Sequence, residues 1–70
     1  DTETSLLKAL ALNAGAPLSR EELRRRGRVS GNTRTVDVQV ARLRRKIETE
    51  PKEPEYLQTA RGRGYLLRID

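Results

Sequence analysis

The sequence predicts a mostly α-helical chain that ends in a β-hairpin, and three observations carry that reading. Apolar residues recur at helical spacing in two stretches, from Leu6 to Ala14 and from Val36 to Ile47. Ser19-Arg20-Glu21-Glu22 has the form of a capping box at a helix start. Near the C-terminus two short runs, 56–60 and 65–69, flank the Gly-rich turn Arg61-Gly62-Arg63-Gly64. At 70 residues the chain reads as one small domain over 1–70.

The first helix takes its buried stripe from Leu6, Leu7, Leu10 and Ala14, with Gly15 as the residue that stops it. In the second, the Ser19 hydroxyl accepts the N3 amide while Glu22 reaches back to the N-cap amide. Leu18 and Leu23 staple across that turn. Arg24-Arg25-Arg26-Gly27 marks a short helix with cations at its C-terminal end, and 27–32 is a loop. Asn32 or Thr33 caps a third helix that runs to about Glu48, before Pro51. On a helical wheel Val36, Val40, Leu43 and Ile47 fall within about 60° of one another and form its buried stripe. Opposite lie Arg34, Val38, Ala41, Arg42 and Arg45, with Thr35 and Gln39 on one flank and Arg44 on the other. Pro51 and Pro54 bracket an acidic turn, and Tyr56 and Tyr65 read as core or hinge aromatics of the hairpin.

Composition excludes several classes of chemistry. Without His or Cys there is no Cys/His zinc site, no thiolate nucleophile, no disulfide and no His general base. The longest apolar run, Ala9 to Leu12, is too short to span a bilayer, and no signal peptide opens the chain. We therefore expect a cytoplasmic chain that is not an enzyme, without cofactor, metal or membrane partner. The net charge of +5 comes from twelve Arg and three Lys against ten acids. Residues 20–46 hold ten bases against three acids, the acidic turn follows, and 61–70 is basic again. Arg has a planar fork that suits phosphates and guanine edges, although a GC-rich genome also favours Arg wherever a positive charge serves.

The positive charge coincides with two projecting pieces, the outer face of the third helix (33–48) and the hairpin tip. A helix of about 16 residues spans roughly 24 Å and fits the major groove of B-DNA. Arg42 and Arg45 are candidates for guanine edges or phosphates, Gln39 for adenine, and Val38 for a thymine methyl. A solvated face would intersperse acids among these bases, and Asp37 is the only acid in the helix before Glu48. Asp37 reads as a dipole or ion-pair partner rather than a catalytic carboxylate. Gly62-Arg63-Gly64 lacks the third glycine and following helix of a nucleotide fingerprint. Two aromatic residues are too few for a single-strand stacking platform.

The run from Arg34-Thr35-Val36-Asp37-Val38-Gln39-Val40 to Glu48, followed by Tyr56-Leu57-Gln58-Thr59-Ala60-Arg61-Gly62-Arg63-Gly64-Tyr65, resembles the C-terminal effector domain of OmpR/PhoB-type response regulators. Leu18-Ser19-Arg20-Glu21-Glu22-Leu23 and Leu6-Leu7 with Leu10 resemble that family's first two helices. The resemblance implies a winged helix-turn-helix, with the third helix reading the major groove and the hairpin (56–69) as the wing. It implies sequence-specific binding of double-stranded DNA in a two-component transcription regulator, commonly as a head-to-tail dimer on direct repeats. The loop at about 26–33 matches a region that meets RNA polymerase in that family. Carried over residue by residue, Val38, Arg42 and Arg45 match base-reading positions, and Arg34, Ala41 and Arg44 match positions facing the backbone or groove. Thr59, Arg61 and Tyr65 match wing contacts. The expected DNA-binding set is Arg34, Thr35, Val38, Gln39, Arg42, Arg44, Arg45, Thr59, Arg61 and Arg63. Three departures stand out: the family's opening antiparallel sheet is absent, its receiver domain is absent, and Thr4 replaces an aromatic while arginines occupy apolar positions of the second helix. The chain thus reads as a portion of a longer protein. The alternative reading is a protein-interaction module that presents the same arginines to RNA polymerase or another acidic partner.

Overall fold

The computed structural model describes residues 2–68. Helix α1 spans Thr2–Leu12 and buries Leu6, Ala9 and Leu10. It stops short of the Ala14 and Gly15 expected from the sequence. The Asn13 and Ala14 amides bond three residues back rather than four, and the Asn13 side-chain amide donates to the Ala9 carbonyl at 3.1 Å. Gly15, at φ +83°, gives its N–H to Leu67 of the hairpin at 2.8 Å. A tertiary hydrogen bond therefore claims the residue that helical periodicity alone assigned to a helix end.

Helix α2 spans Arg20–Arg26, and Ser19 Oγ accepts the Glu22 N–H at 3.0 Å. The reciprocal half of the expected capping box is not formed, because both Glu22 carboxylate oxygens are bound by Arg25 and Arg26. Leu18 and Leu23, the stapling pair, are both buried in the core. The following loop contributes Val29, which is also buried and which the sequence pattern left outside the core. Helix α3 spans Thr33–Ile47, with Asn32 as N-cap accepting the Arg34 N–H and Glu48 as C-cap. Its buried residues are Val36, Val40 and Leu43, with Ile47 packed at the edge, as the wheel predicts.

Strands β1 (Leu57–Ala60) and β2 (Gly64–Leu67) pair antiparallel, with Leu57 opposite Leu67 and Thr59 opposite Tyr65. The hairpin begins one residue later than expected, and Ile69, which the sequence reading included in it, lies outside the described residues. Tyr56, expected as a core or hinge aromatic, is 45% exposed, whereas Tyr65 is buried. Leu18 adds a third, single-residue rung to β2: its N–H donates to the Tyr65 carbonyl at 2.8 Å, and Tyr65 N–H donates back at 3.0 Å. Gly64 makes this approach possible. Its φ is +116°, and a Cβ there would lie 2.0 Å from the Leu18 carbonyl oxygen. Leu6 and Leu10 of α1, Leu23 of α2, Val36 and Val40 of α3 and Leu57 of β1 are the fully buried side chains. One core thus binds three helices and the hairpin, and α3 lies with one face inward and the other free.

Candidate nucleic-acid interface

The outer face of α3 carries what its periodicity implies. Arg34, Val38, Ala41, Arg42 and Arg45 are exposed, and Thr35 and Gln39 are half-buried on one flank. Val38 is 48% exposed, uncommon for an apolar side chain on a helix that has a core to join. At the hairpin, Thr59, Arg61 and Arg63 are exposed, the last two at the tip between the strands.

Ion pairing separates the arginines into two groups, which net charge does not. Arg24 pairs with Glu21, Arg25 and Arg26 pair with Glu22, Arg20 pairs with Asp37 and Lys46 pairs with Glu3. The hydrogen bond from Arg24 holds the Glu21 carboxyl below its ordinary range, and those from Arg26 and Arg25 do the same for Glu22. Of the ten bases in residues 20–46, Arg24, Arg25 and Arg26 are thus engaged by two carboxylates of α2 itself, and Arg20 and Lys46 by Asp37 and Glu3. Among the described residues, Arg34, Arg42 and Arg45 on α3 and Arg61 and Arg63 on the tip face no carboxylate within ion-pair distance. Arg28 in the α2–α3 loop, with φ +53°, is likewise exposed and without such a partner.

Arg44, on the other flank, is engaged within the chain. Its Nε donates to the Leu57 carbonyl at 2.9 Å, Nη2 donates to Thr59 Oγ1 at 3.0 Å, and the guanidinium lies 5.6 Å from the Tyr65 ring centre. One turn on, Glu48, which the sequence pattern placed at the end of the third helix without a partner, is buried. Its carboxylate accepts the N–H groups of Glu55, Tyr56 and Leu57 at 2.8 to 3.3 Å. Burial pushes its pKa up, but those three N–H groups outweigh burial and hold it below the usual 4.5. Asp37 accepts the Tyr65 hydroxyl at 2.5 Å and pairs with Arg20 at 3.1 Å. Burial, then the hydrogen bond to Asp37, pushes the Tyr65 phenol above its usual 10.0. A signal existed for Asp37, a lone acid on a basic helix; none existed for Glu48, whose partners are backbone groups.

Among the described residues, no group of three or more carboxylates could hold a metal ion, and no helix is long and apolar enough to cross a membrane. The geometry is a basic helix face beside a basic hairpin tip. A family model described as "Transcriptional regulatory protein, C terminal" matches residues 1–67. This chain belongs to that family. Protein PetR of Rhodobacter capsulatus is 48% identical to it over 99% of the chain, which spans 32% of PetR's own length. Among solved structures, the response regulator DrrB of Thermotoga maritima, an OmpR/PhoB homologue, superposes with a TM-score of 0.88 at 35% identity. That match covers 97% of this chain and 32% of DrrB. The Klebsiella pneumoniae RstA DNA-binding domain, solved in complex with the RstA box, matches with a TM-score of 0.83 at 34% identity, covering 96% of this chain and 69% of that one. The regulatory domain described here thus has the winged helix-turn-helix fold of OmpR/PhoB DNA-binding domains, with α3 in the place of the recognition helix and β1–β2 in the place of the wing.

Proposed function

We propose that this chain is the effector domain of a two-component transcription regulator and binds double-stranded DNA, with α3 in the major groove and the wing on the backbone or adjacent minor groove. The observation that carries this reading is the segregation of arginines with no ion-pair partner among the described residues onto the outer face of α3 and the wing tip, while Arg24, Arg25 and Arg26 of α2 pair with Glu21 and Glu22 of the same helix. The 15-residue helix is about 22 Å long and presents one arginine-lined side to a groove that admits a single helix. Val38, Gln39, Arg42 and Arg45 set sequence preference; Arg34, Thr59, Arg61 and Arg63 meet phosphates, with Thr35 at the margin. That RstA, a structural relative, is seen on its DNA box supports the same partner here. Selection of duplexes from a random pool tests the reading: a recovered motif, bound with a steep negative salt slope, is the expected result. Binding of every duplex alike, or none, would sink it.

The same proposal extends to the longer protein, a cytoplasmic regulator in which this domain binds direct repeats as a dimer. A second surface is favoured by Arg28, held out from the α2–α3 loop without a carboxylate partner. Loop 26–33 would meet an acidic patch of RNA polymerase there. Arg28→Ala is expected to leave DNA affinity intact and lower transcription in a reconstituted assay; equal transcription would remove the loop from that role.

A further inference from the structure

Building on the DNA-binding reading above, we propose that Arg44 is a positioning residue. It holds the wing at a set distance and direction from the recognition helix, so that the contribution of the wing-tip arginines to binding depends on it. By chemistry alone Arg44 is one more cation beside a DNA-facing surface. Its geometry is different. Nε and Nη2 both donate into the hairpin, to the Leu57 carbonyl and the Thr59 hydroxyl, and the guanidinium carbon lies over the Tyr65 ring at 5.6 Å from its centre. Thr59 and Tyr65 stand opposite each other in the two strands, so a single side chain of α3 holds β1 and β2 at the same level.

Two further contacts turn that hold into an orientation. Glu48, one turn after Arg44, takes the Leu57 N–H while Arg44 takes the Leu57 carbonyl, so a side chain of α3 and its C-cap residue occupy both backbone groups of one β1 residue. At the other end Asp37 accepts the Tyr65 hydroxyl. Asp37 and Arg44 are seven residues apart on one helix, about 10 Å along its axis. The backbone pair with Leu18 and the buried Leu57, Tyr65 and Leu67 hold the base of the hairpin, and the Arg44 and Asp37 contacts fix its direction relative to α3. The tip has no such support, since Arg61 and Arg63 are exposed beyond the paired strands. With the tip about 13 Å from Leu57, a swing of roughly 15° would carry Arg61 about 3 Å, enough to break a phosphate contact. Lysine cannot replace this residue, because an ammonium has no planar fork to span a carbonyl and a hydroxyl.

The test is a double-mutant cycle on the 70-residue chain, read by fluorescence anisotropy on a duplex selected by the wild-type chain from a random pool. Arg61→Ala is measured in the wild-type and Arg44→Lys backgrounds, the latter preserving charge. The expected result is that Arg61→Ala costs about tenfold in affinity in wild type and less than about twofold beside Arg44→Lys. Amide relaxation without DNA provides the second readout: order parameters at Thr59–Arg63 should fall from about 0.85 to below about 0.6 in Arg44→Lys while α3 is unchanged. If Arg44→Lys does not fold, Arg44→Gln serves in its place, since it keeps an amide donor but loses the fork that reaches both the Leu57 carbonyl and the Thr59 hydroxyl. An equal Arg61→Ala cost in both backgrounds, or an unaltered wing order, overturns the proposal. If the wild-type chain selects no duplex, the DNA reading fails, and the order parameters alone decide whether Arg44 positions the wing.

Discussion

Arg42 sits at the centre of the exposed face of α3, with no carboxylate in ion-pair reach among the described residues. Replacing it with alanine is expected to cost about 1–3 kcal/mol on a selected duplex and to relax discrimination at one base position, measured as the ratio of affinities for selected and scrambled duplexes. An unchanged ratio would exclude Arg42 as a reader. Gly64 is the opposite kind of residue, mattering for what it lacks. Gly64→Ala would drive a Cβ to 2.0 Å from the Leu18 carbonyl at a φ of +116°, so the loss of stability should be about 2–4 kcal/mol by urea denaturation. Arg42 was legible in the sequence because helical periodicity alone puts it opposite Val40 and away from the buried stripe. Gly64 was legible only as a turn residue, since nothing local indicates that Leu18, far away in sequence, passes beneath it.

At the scale of elements, α2 and the wing both carry exposed arginines and should behave differently. The α2 arginines share their charge with Glu21 and Glu22 at i−3 and i−4. Arg25→Ala should therefore change duplex affinity by less than about twofold, exposed helical pairs being weak and local. Arg61→Ala should weaken all sequences alike and reduce the magnitude of the KCl slope by about one. Equal effects of the two changes would mean that ion pairing does not select the binding arginines. The capping box illustrates why composition misled at this scale. Ser19 behaves as its position demands, but Glu22 has two arginines within a turn, and a charged partner outcompetes a backbone amide for its carboxylate.

The whole molecule is held by one small core and by polar ties that titrate. Glu48 has a folded pKa lowered from 4.5, so it stabilises the fold above the unfolded value and that stabilisation is lost as pH falls through the folded one. Glu48→Gln is expected to cost about 1–3 kcal/mol at neutral pH, because an amide satisfies fewer of the three N–H groups, and to flatten the acid limb of stability below pH 4.5. A retained acid limb in urea titrations would assign it to other carboxylates. For Tyr65 the sign reverses: its raised pKa gives stability that is complete below 10.0 and lost as pH rises through the folded value, a limb absent from Tyr65→Phe. The sequence by itself determined the element order, the inward stripe of α3 and the set of outward arginines, because these follow from side-chain periodicity and local capping. Only the tertiary structure decided that Arg20 and Lys46 are spent on Asp37 and Glu3, that Gly15 and Leu18 bond to the hairpin, and that Arg44, Asp37 and Glu48 bind the wing to the helix. Those facts depend on segments meeting across the fold. No local pattern encodes which backbone carbonyl or hydroxyl a flanking side chain will meet.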